Sequence, residues 1–265
     1  MLFMDANKAS ASHFATYPSL RDRVVLITGG GSGIGAATVE HFAHQGARVA
    51  FLDRAVEPSL ALVESLKPTC VHPPQFVACD LTDIPALQAA IADISAGIGP
   101  PQVLINNAGS DDRHHFEAIT PAYWDDRMAV NLRHYFFAAQ AVAPGMKDAG
   151  VGSIINISSI SWMIPGRDVT VYNTAKAAII GMTRSLAHEL GTANVRVNSV
   201  LPGAILTERQ RRLWMSPEYE AEILSLQCLK RNLMPAEVAR LLLFLAADDS
   251  SAITNQSYII DGGWI

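Results

Sequence analysis

Short apolar runs alternate with longer helical patterns along almost the whole chain, and this alternation constrains the fold more than any other feature. Seven runs are predicted to be strands: residues 24–28 (VVLIT), 47–53, 75–80, 102–107, 152–158, 194–200 and 257–261. Most are apolar on both faces, as strands of a parallel sheet between two helical layers are. Helical patterns separate them, near residues 33–46, 57–66, 83–96, 121–147, 171–190 and 235–247. The sequence therefore predicts one α/β domain of Rossmann type, a doubly wound parallel sheet of about seven strands with helices on both faces.

Two stretches depart from this alternation. Residues 1–20 form a polar leader, so the domain is predicted to span residues 21–265. Residues 204–234 separate the last two predicted strands and have the pattern of a helical insertion over the carboxyl edge of the sheet. Insertions at this edge often close over a substrate. We therefore expect residues 204–234 to form a substrate lid.

Composition and charge exclude several classes of protein. Hydrophobic residues make up 49% of the chain and charged residues 17%, which indicates a folded globular protein. The formal net charge of −5 argues against nucleic acid or an anionic membrane as a partner. The one basic cluster, Arg209, Arg211 and Arg212, is expected to be a solvated helix face. No apolar run is long enough to span a membrane, and the three cysteines lack a CxxC pair, so we expect a cytoplasmic protein.

A glycine-rich turn, TGGGSGIG (28–35), joins the first predicted strand to the first helix. Its glycines would permit a tight turn and close approach of the backbone to a pyrophosphate, although such a turn can also bind nothing. The strand–turn–helix context favours a dinucleotide, which would lie along the carboxyl ends of the neighbouring strands. The cofactor-binding candidates in these segments are Gly29, Ser32, Gly33, Ile34, Gly35, Asp80, Leu81, Asn106, Asn107, Ala108 and Gly109.

The second predicted strand ends in an acidic residue, Asp53. A carboxylate there can accept hydrogen bonds from both ribose hydroxyls of NAD and would repel the 2′-phosphate of NADP. Arg54 follows and could pair with such a phosphate, but the glycine turn has no basic residue at Ser32. These residues favour NAD over NADP.

Tyr172 and Lys176, in the segment YNTAK, are spaced to lie one turn apart on the same face of a helix. One interpretation is a core-facing tyrosine with a lysine whose stem packs past it. The other is acid–base chemistry. A tyrosine titrates near 10, so a base that works near neutrality needs about 4 kcal/mol of help. A positive charge about 4 Å away supplies about that much at an effective dielectric constant near 20.

Six motifs, in the right order over nearly the whole chain, resemble the short-chain dehydrogenase/reductase family. They are TGGGSGIG, NNAG (106–109), Asn131, Ser159, YNTAK and the PG of LPGAILT (201–207). The resemblance implies Tyr172 as the general base or acid, Lys176 as its electrostatic activator, Ser159 as the catalytic serine and Asn131 as part of a water-mediated proton relay. Ser158 is the alternative serine, but it would point to the opposite face of the strand. The resemblance also adds, as cofactor contacts, Tyr172, Lys176, Pro202, Gly203, Ile205 and Thr207.

The substrate is expected beside the polar loop SDDRHHFEAIT (110–120). Ser159, Tyr172, Asp111, Arg113 and Trp162 are the candidate contacts, with a hydrated surface loop and a packed tryptophan as the alternative. The segments NNAGSDDRHHF, SISWMIPG and QCLK (227–230) resemble bacterial NAD-dependent aldose dehydrogenases. This second resemblance implies oxidation of an aldose, with D-xylose as the best candidate, at C1 to a lactone.

Other functions stay open at this point. Within the same family they are a 3-oxoacyl reductase or another secondary-alcohol dehydrogenase, and outside enzymes a non-catalytic dinucleotide-binding scaffold. No metal is expected, because hydride transfer to a nicotinamide needs none. The family resemblance implies a homo-oligomer, most often a tetramer.

Overall fold

Seven parallel strands form a single sheet in the structure, a computed structural model that describes residues 14–265. The strands are β1 (Val24–Thr28), β2 (Arg48–Asp53), β3 (Gln75–Ala78), β4 (Val103–Asn106), β5 (Gly152–Ile157), β6 (Val195–Pro202) and β7 (Ser257–Ile260). Their order in the sheet is β3-β2-β1-β4-β5-β6-β7, and every neighbouring pair is parallel. The order reverses between β1 and β4, which makes the carboxyl ends of these two strands the topological switch point.

Helices cover both faces of the sheet. They are α1 (Gly33–His44), α2 (Val56–Leu66), α3 (Ile84–Ile98), α4 (Pro121–Met128), α5 (His134–Ala149), α6 (Thr170–Gly191), α7 (Glu208–Leu213), α8 (Pro217–Leu226) and α9 (Pro235–Ala246). Short 3₁₀ turns span Pro18–Leu20, Phe116–Ala118, Ile160–Trp162 and Asp248–Ser250. No helix between residues 14 and 265 combines the length and apolar character needed to cross a membrane.

Two hydrophobic cores lie on opposite sides of the sheet, because its strands are apolar on both faces. One core joins the sheet to α1, α2 and α9, and the other joins it to α3, α5 and α6. Along β1, Val25 and Ile27 belong to the first core and Leu26 to the second. The predicted fold, a doubly wound parallel sheet with helices on both faces, is confirmed.

The helix predicted over residues 121–147 is not continuous. A π-helical segment, Ala129–Arg133, separates α4 from α5. A π turn adds about one residue to a helical turn, so α5 is rotated by about 100° relative to an uninterrupted continuation of α4. Such insertions are frequent at functional sites, and Asn131 lies at the centre of this one.

The predicted leader, residues 1–20, lies partly outside the described residues. Of its described part, Leu20 is fully buried in the core that contains α1 and α9. The backbone N–H of Tyr17 donates to Gln45 Oε1 at 2.8 Å. The packed domain therefore begins before residue 21. The predicted lid, residues 204–234, contains α7 and α8.

Candidate active site

A cleft of about 490 Å³ lies along the carboxyl ends of the strands, across the switch point. It is the place where an open α/β sheet binds ligands. Most residues predicted from the sequence line it: Gly29, Ser32, Gly33, Ile34, Gly35, Asp53, Arg54, Asp80, Leu81, Asn107, Ala108, Gly109, Asp111, Ser159, Tyr172, Lys176, Pro202, Gly203, Ile205 and Thr207.

Asn106, predicted as a cofactor contact, does not line the cleft. Its side chain is fully buried, and Nδ2 donates to the carbonyl oxygen of Tyr135 at 3.1 Å and to Asn156 Oδ1 at 3.0 Å. Asn106 thus connects β4 to α5 and β5. Side chains alternate along a strand, so Asn106 and Asn107 point to opposite faces and only Asn107 meets the cleft. Its role is structural.

Two predicted substrate contacts, Arg113 and Trp162, also do not line the cleft. The guanidinium carbon of Arg113 lies 4.5 Å from the ring centroid of Trp214, so the arginine stacks on the lid. Trp162 ends the 3₁₀ turn that follows Ser159, and its indole N–H is buried without a hydrogen-bond partner. For both residues the loop conformation, which the sequence pattern does not specify, sets the position of the side chain.

The amino end of α1 borders the cleft through Ser32 and Gly33. The first N–H groups of a helix have no partner within the helix and suit a phosphate group. A Cβ atom at Gly35 would lie 1.8 Å from the carbonyl oxygen of Gly29, so a side chain would separate the helix from the turn. Asn107 holds the other wall, since Nδ2 donates to the carbonyl oxygens of Thr28 at 3.1 Å and Gly29 at 2.9 Å. This cradle fits the pyrophosphate of a dinucleotide.

The carboxylate of Asp53 is fixed at the end of β2. Its two oxygens accept hydrogen bonds from the backbone N–H groups of Gly31 and Ala55, each at 2.8 Å. Each carboxylate oxygen keeps a further lone pair, which suits a ribose hydroxyl. Arg54 lies close enough to Asp80 to lower the pKa of that carboxyl group, although hydrogen bonds from Thr82 lower it more.

Tyr172, Lys176 and Ser159 come together in the cleft, as the sequence predicted. Lys176 Nζ lies 5.6 Å from the ring centroid of Tyr172 and donates to the carbonyl oxygen of Ile157 at 2.8 Å. Ser159 Oγ accepts from the backbone N–H of Ser161 at 3.1 Å, so its own hydroxyl proton is available to donate.

Burial dominates the electrostatics of this group. It raises the pKa of Tyr172, and the negative charge of Asp111 raises it further, while a hydrogen bond with Ser159 lowers it. Burial lowers the pKa of Lys176 to about 7, against the opposing effect of Asp111. At an effective dielectric constant near 20, a charged Lys176 would stabilise a negative charge centred on the Tyr172 ring, whose centroid is 5.6 Å away, by about 3 kcal/mol. The protonation of Lys176 therefore controls how readily Tyr172 loses its proton.

Ser158 and Asn131 serve the site without being free to react. Ser158 Oγ donates to the carbonyl oxygen of Lys176 at 2.7 Å, which ties β5 to α6. Asn131 is buried, with Nδ2 donating to the carbonyl oxygen of Arg127 at 3.0 Å and Oδ1 accepting from the N–H of Ser110 at 2.8 Å. The amide of Asn131 thus closes the π-helical segment and holds the start of the polar loop.

The polar loop and the lid are joined by a clasp, which we define as Asp111 and Asp112 on the loop with Arg209 and Gln210 on α7. Arg209 donates to Asp111 Oδ1 at 3.2 Å and to Asp112 Oδ1 at 2.6 Å. Gln210 Nε2 donates to Asp111 Oδ2 at 3.1 Å. Arg209 lies on a solvated helix face, as expected, with its side chain 43% exposed, but it also lines the cleft and pairs across it.

Sequence reasoning did not place Arg209 or Gln210 at this site. Arg209 and Gln210 follow Thr207, whose hydroxyl accepts from the N–H of Gln210 as the helix cap, and a cap of this kind can be recognised in a sequence. Their partners lie almost a hundred residues earlier in the chain and give no local signal. Between residues 14 and 265, no group of three or more His, Cys, Asp or Glu side chains is placed to hold a metal ion.

The fold and the cleft define a Rossmann-type oxidoreductase that uses a nicotinamide dinucleotide. The family model described as "Enoyl-(Acyl carrier protein) reductase" matches residues 29–265. The chain belongs to the short-chain dehydrogenase/reductase family and is an oxidoreductase that acts on CH–OH groups.

Two curated relatives are sugar dehydrogenases by name. One, "Probable galactose dehydrogenase GalD" of Rhizobium meliloti, is 53% identical over 247 residues, which span 93% of this chain and 96% of that protein. The other, "D-xylose 1-dehydrogenase" of Caulobacter vibrioides, is 52% identical over 250 residues, which span 94% of this chain and 98% of that protein. Among solved structures, a 3-oxoacyl-[acyl-carrier protein] reductase with bound NAD from Brucella melitensis superposes with a TM-score of 0.85 at 34% identity, covering 94% of both chains.

The clasp predicts that Arg209 restrains the lid. We expect Arg209→Gln to speed hydrogen exchange of the backbone amides of α7, because ion pairs to two carboxylates are lost. The matched control is Arg211→Gln on the same exposed helix, which should leave exchange unchanged. Hydrogen exchange followed by mass spectrometry measures both. Equal exchange in the two variants would mean that the clasp does not hold α7.

Proposed function

We propose that this protein oxidises a cyclic aldose at C1 to the lactone, with NAD as the hydride acceptor and D-xylose as the best candidate substrate. The proposal rests on one observation about the cleft. It contains Ser159, Tyr172 and Lys176 together with two side chains that can hydrogen-bond a sugar, Asp111 and Gln210. The names of the two sugar dehydrogenases at 52–53% identity support the same substrate class.

Oxidation at C1 removes a hydride from the anomeric carbon and a proton from its hydroxyl group, and the C1–O bond becomes the lactone carbonyl. The nicotinamide supplies the hydride acceptor. Tyr172 Oη takes the hydroxyl proton, while the Ser159 hydroxyl donates to the same substrate oxygen and fixes its position. The charge of Lys176 stabilises the phenolate of Tyr172 and so favours removal of the proton.

The wall opposite the catalytic group suits a sugar better than an acyl chain. Asp111, Arg209 and Gln210 line the cleft and offer charged or amide groups to hydroxyl groups. A site that hydrogen-bonds each hydroxyl rejects analogues that lack one by large factors, because its buried polar groups are left without partners. In the clasp, Asp111 already accepts hydrogen bonds from Arg209 and Gln210. Only its remaining lone pairs can accept from sugar hydroxyl groups, which limits how many hydroxyl positions this wall of the cleft can recognise.

NAD rather than NADP is the proposed cofactor, on the evidence of Asp53. A 2′-phosphate on the adenine ribose would meet a carboxylate that two backbone N–H groups hold in place. Arg54 lines the same end of the cleft, but its charge interacts with Asp80. The proposed preference for NAD therefore rests on the repulsion between this phosphate and Asp53, with Arg54 as the one cation that the described residues place at that end of the cleft.

A second candidate function is reduction of a 3-oxoacyl thioester. Its support is similarity: a 3-oxoacyl-[acyl-carrier-protein] reductase of Thermotoga maritima is 38% identical over 249 residues. The charged wall of the cleft argues against it. A bound fatty acyl chain would exclude water from Asp111 and Arg209, and removing charged groups from water costs free energy. A non-catalytic scaffold is the remaining alternative, and the presence of Tyr172 and Lys176 argues against that.

The cytoplasm and a homotetramer are also proposed. All three cysteines are free in the described residues, which fits a reducing compartment. Exposed apolar side chains at the carboxyl-terminal edge, Ile259 at 44% and Ile265 at 47% exposure, could be covered by a second copy. We expect light scattering to give four times the mass of the chain, and a stable monomer at working concentration would exclude an oligomer.

The substrate proposal predicts NADH formation with aldoses. The assay compares D-xylose, D-galactose, L-arabinose and D-glucose, each with NAD and with NADP, against a 3-oxoacyl thioester and a simple secondary alcohol. We expect the highest kcat/KM with D-xylose and NAD. Turnover of another aldose would correct only the preferred sugar, turnover of the controls alone would eliminate the sugar, and a preference for NADP would refute the role given to Asp53.

Tyr172→Phe tests the proton transfer. We expect kcat on the best aldose to fall by roughly 10²–10⁴-fold, since that is the usual contribution of a positioned acid or base. Because burial raises the pKa of Tyr172, and the deprotonated form is needed, wild-type oxidation should accelerate as the pH rises towards neutrality, and the gain should level off above about 7, where Lys176 loses its charge. Tyr258→Phe, on the edge strand β7, is the matched control and should behave as wild type. Near-normal turnover in Tyr172→Phe would disprove the mechanism.

A further inference from the structure

Lys176 is held by a second tyrosine, which lies outside the cleft. Nζ of Lys176 donates to the hydroxyl oxygen of Tyr135 at 3.3 Å, in addition to its 2.8 Å hydrogen bond to the carbonyl oxygen of Ile157. The ammonium group is also 5.3 Å from the ring centroid of Tyr135. We propose that Tyr135 is a positioning residue that keeps Lys176 charged and directed at Tyr172, and so sets the pH range in which Tyr172 acts as a base.

The hydroxyl of Tyr135 is oriented to accept rather than to donate. Its own proton goes to the carbonyl oxygen of Ile157, at 3.1 Å, which leaves its lone pairs for Lys176. Tyr135 is fully buried and does not line the cleft, so it cannot reach a substrate. Burial also raises its pKa well above the ordinary value, so it stays neutral. Its effect must therefore pass through Lys176.

Both contacts favour the ammonium form of Lys176. A hydrogen bond that accepts from the charged group raises its pKa, and the face of an aromatic ring attracts a cation. These contacts oppose the burial that brings the pKa of Lys176 down to about 7. Near that pH a fraction of the molecules carries a neutral Lys176, which cannot stabilise a phenolate. The contacts with Tyr135 therefore act in the pH range where Lys176 most readily loses its charge.

The other groups around Lys176 do not replace this contribution. His134, the neighbour of Tyr135 on α5, has its pKa lowered to about 4 by burial and is neutral at working pH. Asp111, on the loop after β4, favours the charged lysine but also raises the pKa of Tyr172. Tyr135 and the carbonyl oxygen of Ile157 favour the charged lysine without placing a negative charge near the phenol, and of the two only Tyr135 acts through a side chain.

The π-helical segment, Ala129–Arg133, explains how Tyr135 reaches this position. Tyr135 follows it on α5, and the extra residue of the π turn changes, by about 100°, the direction in which Tyr135 leaves the helix relative to a regular continuation. The amide of Asn131 closes the segment, with Nδ2 on the carbonyl oxygen of Arg127. The backbone segment that Asn131 closes therefore sets the register of Tyr135 on α5.

Tyr135→Phe is the test, because it removes the hydroxyl and keeps the ring. This inference rests on the proposed function for its kinetic readout, which is the pH profile of kcat for the best aldose at saturating NAD. Losing an acceptor of a charged donor should lower the pKa of Lys176, so the rising limb of the profile should end about one pH unit lower. The rate above neutrality should fall about tenfold and approach that of wild type at lower pH. Tyr258→Phe is the control and should show no shift.

A second readout does not depend on turnover. Lysine labelled with ¹³C at Cε reports its own titration by NMR in the protein without substrate, and Lys176→Met identifies the signal. We expect the pKa of Lys176 to fall in Tyr135→Phe and stay unchanged in Tyr258→Phe. If no aldose is oxidised, this measurement still decides the role of Tyr135.

Two results would overturn the inference. An unshifted lysine titration in a folded Tyr135→Phe would show that the hydroxyl does not act on Lys176. A loss of rate by the same factor at every pH, with a lower melting temperature, would show a merely structural role. Tyr135→Leu, which removes ring and hydroxyl together, should shift the limb further than Tyr135→Phe, and an equal or smaller shift would contradict the contribution of the ring.

Discussion

Close packing of backbone at the carboxyl ends of β1 and β4 is the constraint on which the cleft depends. Asn107 Nδ2 bridges the carbonyl oxygens of Thr28 and Gly29, and a Cβ atom at Gly35 would lie 1.8 Å from the second of these oxygens. Helix α1 can therefore begin directly against the strand ends, with its free N–H groups at the cleft. A side chain at this contact would move the anion-binding end of the helix away from the switch point.

In this cleft, the proposed chemistry depends on the positive charge of Lys176, which burial disfavours. Burial lowers the pKa of Lys176 to about 7, and the chain opposes this with hydrogen-bond acceptors at Ile157 and Tyr135 and with the carboxylate of Asp111. Arg209 in turn neutralises part of the charge of Asp111. Helix α7, in the predicted lid, and Tyr172 are thus coupled through one carboxylate, so movement of α7 would change the electrostatics at Tyr172.

Sequence patterns predicted the site best where its residues are local. Tyr172 and Lys176 could be placed together because helix geometry fixes their separation, and the glycine turn because its neighbours are a strand and a helix. The predictions for Arg113 and Trp162 depended on loops instead, and neither residue lines the cleft. A loop sequence constrains the direction of the backbone only weakly, so sequence patterns could not predict which contacts these two side chains make.

The sequence by itself determined the parallel sheet, the edge where ligands bind and the placement of Tyr172 and Lys176 on one helix face, since periodicity and short spacing are local properties of the chain. Only the tertiary structure decided that Arg209 pairs with Asp111 across the cleft, and that Tyr135 holds Lys176. These contacts join residues far apart in the chain. Burial, which sets the pKa of a lysine or a tyrosine, is likewise a property of the packed molecule and has no value along an extended chain.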